Sequence, residues 1–505
     1  MEFQRELLAR LPLADSVLSL LGHLWSPSFL DGLFDAHRGR CYEQDLTFPR
    51  LVELVRDALL VHRGSGRASF EAADARGELP VLPGSVYQKL GRLPVAVSQA
   101  LLRETARRLP ELLPGAGGGG GGGGDDANDP PLPASLAGLE VVALDGKVLK
   151  HVHRRLKPLR PLQGKLLGGR VLVALAVRPG LALAMDACED AERNDCPLVP
   201  GAVEQVREQV AARGVLFMAD RQMCDLGLMA LFTRRPGDHF LVRHNRTLSF
   251  EPDPARPPQR GTDARGRAFV QEWGWAGAAS QRSRRRYVRR ITLARDGAAG
   301  GEDVALLTDL LDERAYPAAD LLEAYRRRWG IEQVFQQVTE VFNLRHLIGT
   351  RPLALIFQAA FCLVLYNLTQ VVRHYVAGAG GRAAAGAVSA RKLFEDVTAE
   401  MTAWAKLGQT PVLTGHVRDL GLLAGGGGGN GNGDAPAAAA AMRRHLRERL
   451  GQLWRPRWAK SPSRGPRPAG QRRTVRVKGG RSSVWKVLQE HRERVATHKQ
   501  QPRRC

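Results

Sequence analysis

The sequence predicts an α/β fold interrupted by a β-rich insertion, with a helical N-terminal domain and a basic, partly disordered C-terminal tail. Three observations support this prediction. Apolar residues make up 44% of the chain, short apolar runs alternate with helical patterns between residues 139 and 244, and residues 246–303 are rich in turns. Strands that alternate with helices are typical of a sheet covered by helices. The length of 505 residues is sufficient for several folded units.

Glycine-rich stretches and changes of pattern divide the chain. The stretches at 117–124 and 425–433 bury nothing and predict linkers. We predict an N-terminal helical, DNA-binding domain at 1–115, a linker at 116–134, a first catalytic part at 135–245, the β-rich insertion at 246–303, a second catalytic part at 304–380, a helical region with a Gly/Ala-rich linker at 381–442 and the basic tail at 443–505.

Within the N-terminal domain, residues 70–92 resemble two short helices around a turn. Ser85 is the predicted N-cap of the second helix, and Lys89 is among the polar residues that this helix would present to a DNA groove. An ordinary helical bundle fits the same pattern equally well.

Short apolar runs predict the strands of the sheet. They lie at 141–144, 171–177, 181–185, 215–219, 240–242 and 304–308, with two more in the insertion at 269–275 and 286–293. Helical spacing predicts a helix at 203–212 and one long helix at 317–342. The simplest interpretation is one α/β domain whose two parts flank a β insertion.

The charge of the chain indicates a polyanionic partner. Lysine and arginine outnumber aspartate and glutamate by 74 to 51, which gives a net charge of +23. Residues 443–505 contain 20 of the basic residues and three acids. This tail is also rich in Pro, Gly and Ser, so we expect much of it to lack a packed core and to contact DNA phosphates, with a solvated solubility tail as the alternative.

Several protein classes have no support. The six cysteines include no CxxC pair, and no P-loop pattern occurs. The first 25 residues do not read as a signal peptide. The longest apolar segment, residues 354–372, is interrupted by polar side chains, which favours a buried helix over a membrane span.

Two aspartates follow apolar runs in similar settings. Asp145 comes after Val-Val-Ala-Leu and Asp220 after Val-Leu-Phe-Met-Ala. The carboxyl end of a central strand lies at the rim of the sheet, where α/β folds place their chemistry. Two carboxylates brought together there would repel unless a cation neutralised them, and hard divalent metals do so. Either aspartate alone is also compatible with a structural role.

A third carboxylate lies on the predicted long helix. Tyr325, Arg328, Gln336 and Thr339 stand at −7, −4, +4 and +7 from Glu332, so in one continuous helix they share a face. A carboxylate beside a tyrosine and an arginine suits a metal and a phosphate. A solvated face with an Arg328–Glu332 pair is the structural alternative.

Taken together, these motifs resemble a DDE transposase of the insertion-sequence-four type. The resemblance rests on Leu144-Asp-Gly-Lys147, Met218-Ala-Asp-Arg221, Leu306–Leu310 and Tyr325-x2-Arg328-x3-Glu332, and it covers most of residues 20–375. One departure is that Thr339 occupies the position where the family carries a lysine, whose role would be missing or supplied by Arg326, Arg327 or the tail.

The resemblance implies a ribonuclease-H-like catalytic domain. Asp145, Asp220 and Glu332 would be the catalytic residues and would bind two Mg²⁺ or Mn²⁺ ions, and Arg328 and Tyr325 would contact the DNA backbone. It also implies double-stranded DNA partners (transposon ends and target), a homodimer in the DNA complex, no membrane association, and a cytoplasmic, nucleoid-associated location.

Other basic residues fit a DNA path. Lys147 follows Asp145 in a basic segment, and Arg285 and Arg286 lie in an arginine-rich part of the insertion. Trp273 and Trp275 nearby could stack on an unpaired base. Packing inside a small β module is the alternative for both tryptophans.

Three rival functions remain open from the sequence. A catalytically inactive, transposase-derived DNA-binding protein is favoured by Thr339 and the unusual tail. An RNA-binding or scaffolding protein would use the carboxylates structurally. A haloacid-dehalogenase-like phosphatase needs a second aspartate two residues after the first, where this chain has Lys147.

Overall fold

The computed structural model describes residues 6–500, with gaps. The residues outside the described set within this range are 7, 42, 115–131, 151, 211–213, 295–302, 329, 341–343, 345, 380–386, 407–434 and 461–479. Residues 116–131 of the predicted linker and the whole glycine-rich stretch at 425–433 therefore lie outside the described residues.

Six helices form the N-terminal part: α1 (Pro12–Leu24), α2 (Pro27–His37), α3 (Phe48–Leu60), α4 (Gly66–Ala75), α5 (Pro83–Leu90) and α6 (Val95–Arg108). The side chains of Ser26, Thr47 and Ser65 accept hydrogen bonds from the first turns of α2, α3 and α4. The predicted Ser85 cap is wrong. Because Pro83 has a fixed φ and no N–H, α5 begins there, and Ser85 lies inside the helix.

A mixed sheet forms the centre of the second part. Its first five strands are β1 (Leu139–Lys150), β2 (Lys165–Ala176), β3 (Leu181–Cys188), β4 (Gly214–Ala219) and β5 (His239–Arg243). They lie in the order β3-β2-β1-β4-β5. Strand β2 is antiparallel to β1 and β3, whereas β4 is parallel to β1 and β5. The helices α7 (Val199–Gln209) and α8 (Leu226–Phe232) connect β3 to β4 and β4 to β5. The predicted ribonuclease-H-like α/β fold is confirmed.

The insertion continues this sheet. It contributes β6 (Phe250–Pro252), β7 (Gln259–Thr262), β8 (Ala268–Ala276) and β9 (Arg286–Leu293), and it is followed by β10 (Val304–Thr308). Strand β9 pairs with β8 and with β10, and β10 pairs with β5. The predicted β-rich character is therefore correct, and the insertion's strands belong to the same sheet as the catalytic strands.

After β10 the chain forms α9 (Ala318–Arg327), α10 (Gly330–Glu340), α11 (Pro352–Ala379) and α12 (Ala390–Lys406). The single helix predicted at 317–342 is therefore two helices. Arg328 N–H donates to the Tyr325 carbonyl and Ile331 N–H to the Arg328 carbonyl, both at 3.0 Å. These i→i+3 bonds form a tighter turn than an α-helix and separate α9 from α10.

Helix α11 has the length and hydropathy of a membrane span, and every residue of its most apolar window is buried inside the protein. It packs against α6 and against strands β2 and β3. A core helix passes the same compositional test as a membrane span, so the burial of α11 supports the predicted core position.

The two faces of the sheet alternate along each strand. Val141 and Ala143 of β1, with Met218 of β4, belong to the core that contains α9, α10 and α11. The residues between them, such as Leu144 and Phe217, belong to the opposite core under α7 and α8. This alternation determines which residues at the rim of the sheet can meet α10.

The C-terminal region contains α13 (Ala435–Leu450), β11 (Arg481–Ser483) and α14 (Val484–Gln500). Helix α13 packs on α1, where Arg449 lies 2.6 Å from the fully buried carboxylate of Asp15. Strand β11 pairs in parallel with β2, and Lys486 lies 2.5 Å from Glu192. The two described segments of the tail therefore contact the rest of the protein at these points. Most described side chains of α14 are nevertheless exposed, which agrees with the prediction that much of the tail lacks a packed core, and residues 461–479 lie outside the described set.

Candidate active site

Asp145 and Asp220 lie at the same level of two neighbouring strands. Strands β1 and β4 are parallel, and their last register pair is Ala143 with Met218, so the residues two further along are Asp145 and Asp220. Each aspartate lies two residues after Ala143 or Met218, and residues two apart on a strand project on the same face. Both aspartates therefore project on the face that carries α10. The sequence placed Asp145 at the end of its strand, but β1 continues to Lys150, and it is β4 that ends at this level.

Glu332, in the first turn of α10, lines the same cleft as the two aspartates. The cleft is open to solvent and has a volume of about 620 Å³. Arg328 connects its walls: Nη1 lies 3.9 Å from Asp145 Oδ2, and Nη2 lies 3.4 Å from Glu332 Oε1. The structure therefore brings together the three carboxylates singled out in the sequence.

The electrostatics of the cleft centre on Asp145. The pKa of this carboxyl is raised to about 6, chiefly by burial and in part by the charges of Asp220 and Glu332, whereas Arg328 and the Gly146 N–H act in the opposite direction. Asp145 Oδ1 accepts that N–H at 3.0 Å, and Asp220 accepts from Gln222 N–H at 2.9 Å. Five carboxylates line the cleft, against three cations: Asp145, Asp195, Asp220, Glu332 and Glu340 face Lys147, Lys150 and Arg170. With Arg328 beside Asp145 and Glu332, the fully ionised cleft keeps a small excess of negative charge, which favours a cation.

The donor set can be tested against a divalent metal. Among the described residues, no group of three His, Cys, Asp or Glu side chains lies close enough together to hold a metal ion. The guanidinium of Arg328 occupies the space between Asp145 and Glu332. The ligands available are nevertheless all carboxylate oxygens beside an open cleft, and these are the donors that Mg²⁺ and Mn²⁺ prefer. The residues present fit such an ion by their chemistry.

Comparison with protein families gives a match at this region. Residues 137–368, which contain all three carboxylates, match the family model described as "Transposase DDE domain". The match supports a DDE transposase. It agrees with the predicted resemblance at the level of the domain, while the insertion-sequence-four type stays a prediction.

Two further comparisons add less. No curated protein matches the chain. Among solved structures, one similar chain is in the "Cryo-EM structure of piggyBac transposase synaptic complex with hairpin DNA", at 11% identity and a TM-score of 0.36, covering 83% of this chain and 87% of that one. A similarity at this TM-score supports no conclusion about the present protein.

In the segment that matches the family model, Tyr325 is a buried side chain. It is 7% exposed, and its hydroxyl donates to the Ala219 carbonyl at 3.1 Å. This bond ties α9 to the last residue of β4, directly before Asp220. The contact disfavours the predicted role of Tyr325 in binding DNA and indicates that it positions the rim. Arg328 is 6% exposed, and its Nε atom has no hydrogen-bond partner in the described part of the chain.

Lys147 lies beside the position where the family lysine is missing. Its Nζ atom donates to the Phe335 carbonyl at 3.2 Å, and the hydroxyl of Thr339 donates to the same carbonyl at 2.7 Å. Arg326 and Arg327, the substitutes predicted from sequence, instead contact Glu323 on their own helix. Lys147 therefore supplies a cation to the wall of the cleft formed by α10.

Asp195 and Arg170 also line the cleft, and no sequence pattern singled them out. Arg170 Nη1 lies 2.7 Å from Asp195 Oδ1. A Cβ atom added to Gly146 would lie 2.1 Å from that same oxygen, so only glycine allows Asp195 to approach β1 this closely. The glycine of the Asp-Gly-Lys motif was the available signal, because it marks a close approach.

The remaining predicted DNA-binding residues do not line this cleft. Lys89 contacts Glu43 at 3.3 Å and donates to the Leu46 carbonyl. Arg285 is paired with Glu251, and Arg286 donates to Thr233 Oγ1 at 3.0 Å. These contacts leave their DNA-binding role as a prediction.

Of the two candidate stacking tryptophans, Trp273 is fully buried and donates to the Leu311 carbonyl at 3.0 Å, as expected for packing in the sheet. Trp275 is 42% exposed. Asp225 accepts from the Gly227 and Leu228 N–H groups and caps α8.

Proposed function

We propose that this protein is a transposase of the insertion-sequence-four type that binds the terminal inverted repeats of its element and catalyses metal-dependent cleavage and strand transfer of DNA. One observation carries the proposal: Asp145, Asp220 and Glu332, from three separate elements, line one open cleft inside the segment that matches the transposase family.

Each residue of the cleft has a place in this reaction. Asp145, Asp220 and Glu332 would hold two Mg²⁺ or Mn²⁺ ions, which when bound activate the attacking hydroxyl and stabilise the leaving oxygen. Arg328 presents a guanidinium fork between the carboxylates, which suits a backbone phosphate. Tyr325 fixes the end of β4 and thereby the position of Asp220.

Lys147 would perform the task of the lysine that Thr339 replaces. Burial lowers the pKa of its ammonium group, and Lys150 acts in the same direction. A cation already desolvated against Phe335 loses less hydration when it meets a phosphate in the cleft. The lysine function would then come from β1 instead of α10.

The partners belong to the same proposal. Double-stranded DNA, as transposon ends and as target, is supported by the net charge of +23. Pairing of two ends would require a homodimer in the DNA complex. A cytoplasmic, nucleoid-associated location follows from a DNA substrate.

The experiment uses duplex DNA taken from the genomic flanks of the reading frame, including any inverted repeat found there. Wild type and the variants Asp145→Asn, Asp220→Asn and Glu332→Gln are incubated with this duplex and Mg²⁺, and cleaved strands are resolved on denaturing gels. We expect cleavage by wild type and a loss of at least about 100-fold in each variant. Equal cleavage by all four proteins would refute the proposal.

A second candidate is a transposase-derived protein that binds DNA without cutting it. Thr339 in place of the family lysine and the contacts of Arg328 with Asp145 and Glu332 favour this reading. The same assay separates the two functions, since the second predicts salt-sensitive binding of the duplex and no nicking with Mg²⁺ or Mn²⁺.

A further inference from the structure

Arg243 continues the row formed by Asp145 and Asp220 onto a third strand. Strands β4 and β5 are parallel, and their last register pair is Ala219 with Val242. One residue further along, Asp220 is therefore level with Arg243. Three adjacent parallel strands, β1, β4 and β5, thus carry two carboxylates and one guanidinium in a row at the level where β4 and β5 end.

All three side chains belong to the same face of the sheet. Leu241, two residues before Arg243, lies in the core that contains α9 and α10, whereas Val242 lies in the opposite core. Residues two apart on a strand project on the same side. Arg243 therefore leaves β5 on the side from which Asp145 and Asp220 leave their strands.

The surroundings of Tyr325 place the charge of Arg243 near the same rim. Burial raises the pKa of the Tyr325 hydroxyl to about 12, while the positive charges of Arg328 and Arg243 act to lower it. The Tyr325 hydroxyl bonds to the residue directly before Asp220, so a charge that acts on this hydroxyl lies near Asp220. Arg243 is on β5 and therefore stands on the β5 side of Asp220. The cleft described above lies on its β1 side.

Arg243 has no anionic partner among the described residues, in contrast to two other partly buried arginines of this region. Arg207 pairs with Asp238 at 2.9 Å and Arg290 with Glu272 at 2.6 Å. The half-buried side chain of Arg243 has no hydrogen bond or ion pair to any residue in the described ranges. A guanidinium that is partly desolvated and lacks a counter-ion can bind an oxyanion at a reduced desolvation cost.

We infer that Arg243 binds a phosphate of the DNA backbone at the β5 side of the active-site rim, next to the phosphate that is cut. This inference rests on the proposed function and adds a contact outside the cleft. The anion-binding surface then extends from β1 across β4 to β5, and the DNA strand crosses these three strands in that order.

The test measures binding of the end-containing duplex in EDTA, where no cleavage occurs, at several salt concentrations. We compare wild type, Arg243→Gln, Arg243→Lys and Arg260→Gln; Arg260 is an exposed arginine on β7, beyond β10, β9 and β8 in the sheet. We expect Arg243→Gln to lower affinity about 10-fold and to reduce the slope of log K against log salt by about one. Arg243→Lys keeps the slope, and Arg260→Gln changes neither quantity.

A second measurement identifies the phosphate. Duplexes with a single neutral methylphosphonate are scanned across the end, and the loss of affinity at each position is compared between wild type and Arg243→Gln. A direct contact predicts one position, beside the cleavage site, where neutralisation weakens wild type about 10-fold and leaves the variant unchanged. Thermal unfolding of each variant checks that it is folded. If Arg243→Gln is not folded, Arg243→Lys replaces it in the scan. Neutralising the contacted phosphate should then weaken binding by Arg243→Lys less than binding by wild type.

Identical salt slopes and identical scans for wild type and the folded Arg243 variants would overturn the inference, and so would an equal slope change in Arg260→Gln without a masked position. Failure of the proposed function looks different. In that case wild type itself neither prefers the end-containing duplex over unrelated duplex nor cuts it with Mg²⁺.

Discussion

The guanidinium of Arg328 lies 3.9 Å from the carboxylate of Asp145 across the cleft wall. This contact joins the turn between α9 and α10 to strand β1, and the same guanidinium also reaches Glu332. Arg328 is therefore the cation nearest to the carboxylates of Asp145 and Glu332.

Replacing Arg328 should destabilise the protein when no metal is present. In Arg328→Gln the cleft carboxylates lose their nearest positive charge, so we expect a loss of about 1–3 kcal/mol in the free energy of unfolding at pH 7.5. Urea unfolding in EDTA measures it. Arg67→Gln is the control, because Arg67 forms an exposed pair with Glu71 that solvent screens, so we expect no measurable change in stability. Equal losses in both variants would contradict the prediction.

The raised pKa of Asp145 should make stability fall with rising pH. Its folded-state pKa of about 6 lies above the ordinary value of 3.8, so the folded state holds the proton more tightly. The stabilisation is complete below pH 3.8 and is lost as pH rises through 6, and a shift of two pKa units corresponds to about 3 kcal/mol. Asp145 is 19% exposed, so little of this is lost to solvent screening.

The comparison for this prediction is Asp145→Asn, measured by urea unfolding between pH 4 and 8 in EDTA. We expect the difference in stability to shift in favour of the variant by about 1–3 kcal/mol as pH rises across this range. A difference that is constant with pH would show that Asp145 does not titrate in this interval.

Adding a methyl group at position 146 should disturb the cleft. In Gly146→Ala the new Cβ would lie 2.1 Å from Asp195 Oδ1, and the Arg170–Asp195 pair must move. We expect a loss of about 1–3 kcal/mol in thermal unfolding. Gly84→Ala is the control: Gly84 lies in α5 with no atom within 4 Å of the added Cβ, so the change should be neutral or stabilising by up to about 1 kcal/mol. The prediction fails if both variants unfold at the wild-type temperature.

Glu400 should be a structural link between the N-terminal and C-terminal regions. Its Oε2 atom accepts from Leu13 and Ala14 N–H at 2.8 and 3.1 Å, at the start of α1, and its Oε1 atom accepts from Arg455 at 2.8 Å. Glu400→Ala leaves the two buried N–H groups of Leu13 and Ala14 unpaired, so we expect a loss of about 2–4 kcal/mol in urea unfolding.

Glu395→Ala, on the same helix, is the matched control for Glu400→Ala. Its carboxylate is 51% exposed and pairs with Arg391 at 3.0 Å. We expect a change within about 0.5 kcal/mol. A loss in Glu395→Ala as large as that in Glu400→Ala would argue against a specific role for Glu400.

Much of the central sheet could be predicted from sequence, because a buried strand consists of a short run of apolar residues that is recognisable without knowledge of its neighbours. The runs before Asp145 and Asp220 became β1 and β4, and the arginine-rich segment from Arg286 became β9. The helix break between Tyr325 and Glu332 could not be predicted, since both helices share one continuous amphipathic pattern. The break depends on how the turn at Arg328 packs under the end of β4.

The C-terminal region shows a different limit. Its basic composition indicated a DNA-contacting arm, yet Arg449 and Lys486 pair with Asp15 and Glu192, several hundred residues earlier in the chain. Charge composition does not distinguish an arginine that is available to bind a phosphate from one that is already paired with a carboxylate of the same protein. Only the packing of α13 and α14 on the rest of the protein makes that distinction.

The amino-acid sequence by itself determined the chemistry of this protein: three acids after recognisable patterns, an arginine and a tyrosine at fixed spacing, and a sheet of alternating apolar runs. Tertiary structure alone decided the neighbours of those groups. The register of β4 and β5 places Arg243 level with Asp220. The absence of a Cβ atom at Gly146 allows Asp195 to approach β1. Lys147 donates to the carbonyl that the Thr339 hydroxyl also contacts. The physical reason is that local patterns record which side chains are buried, whereas register and packing between distant segments determine which of them meet.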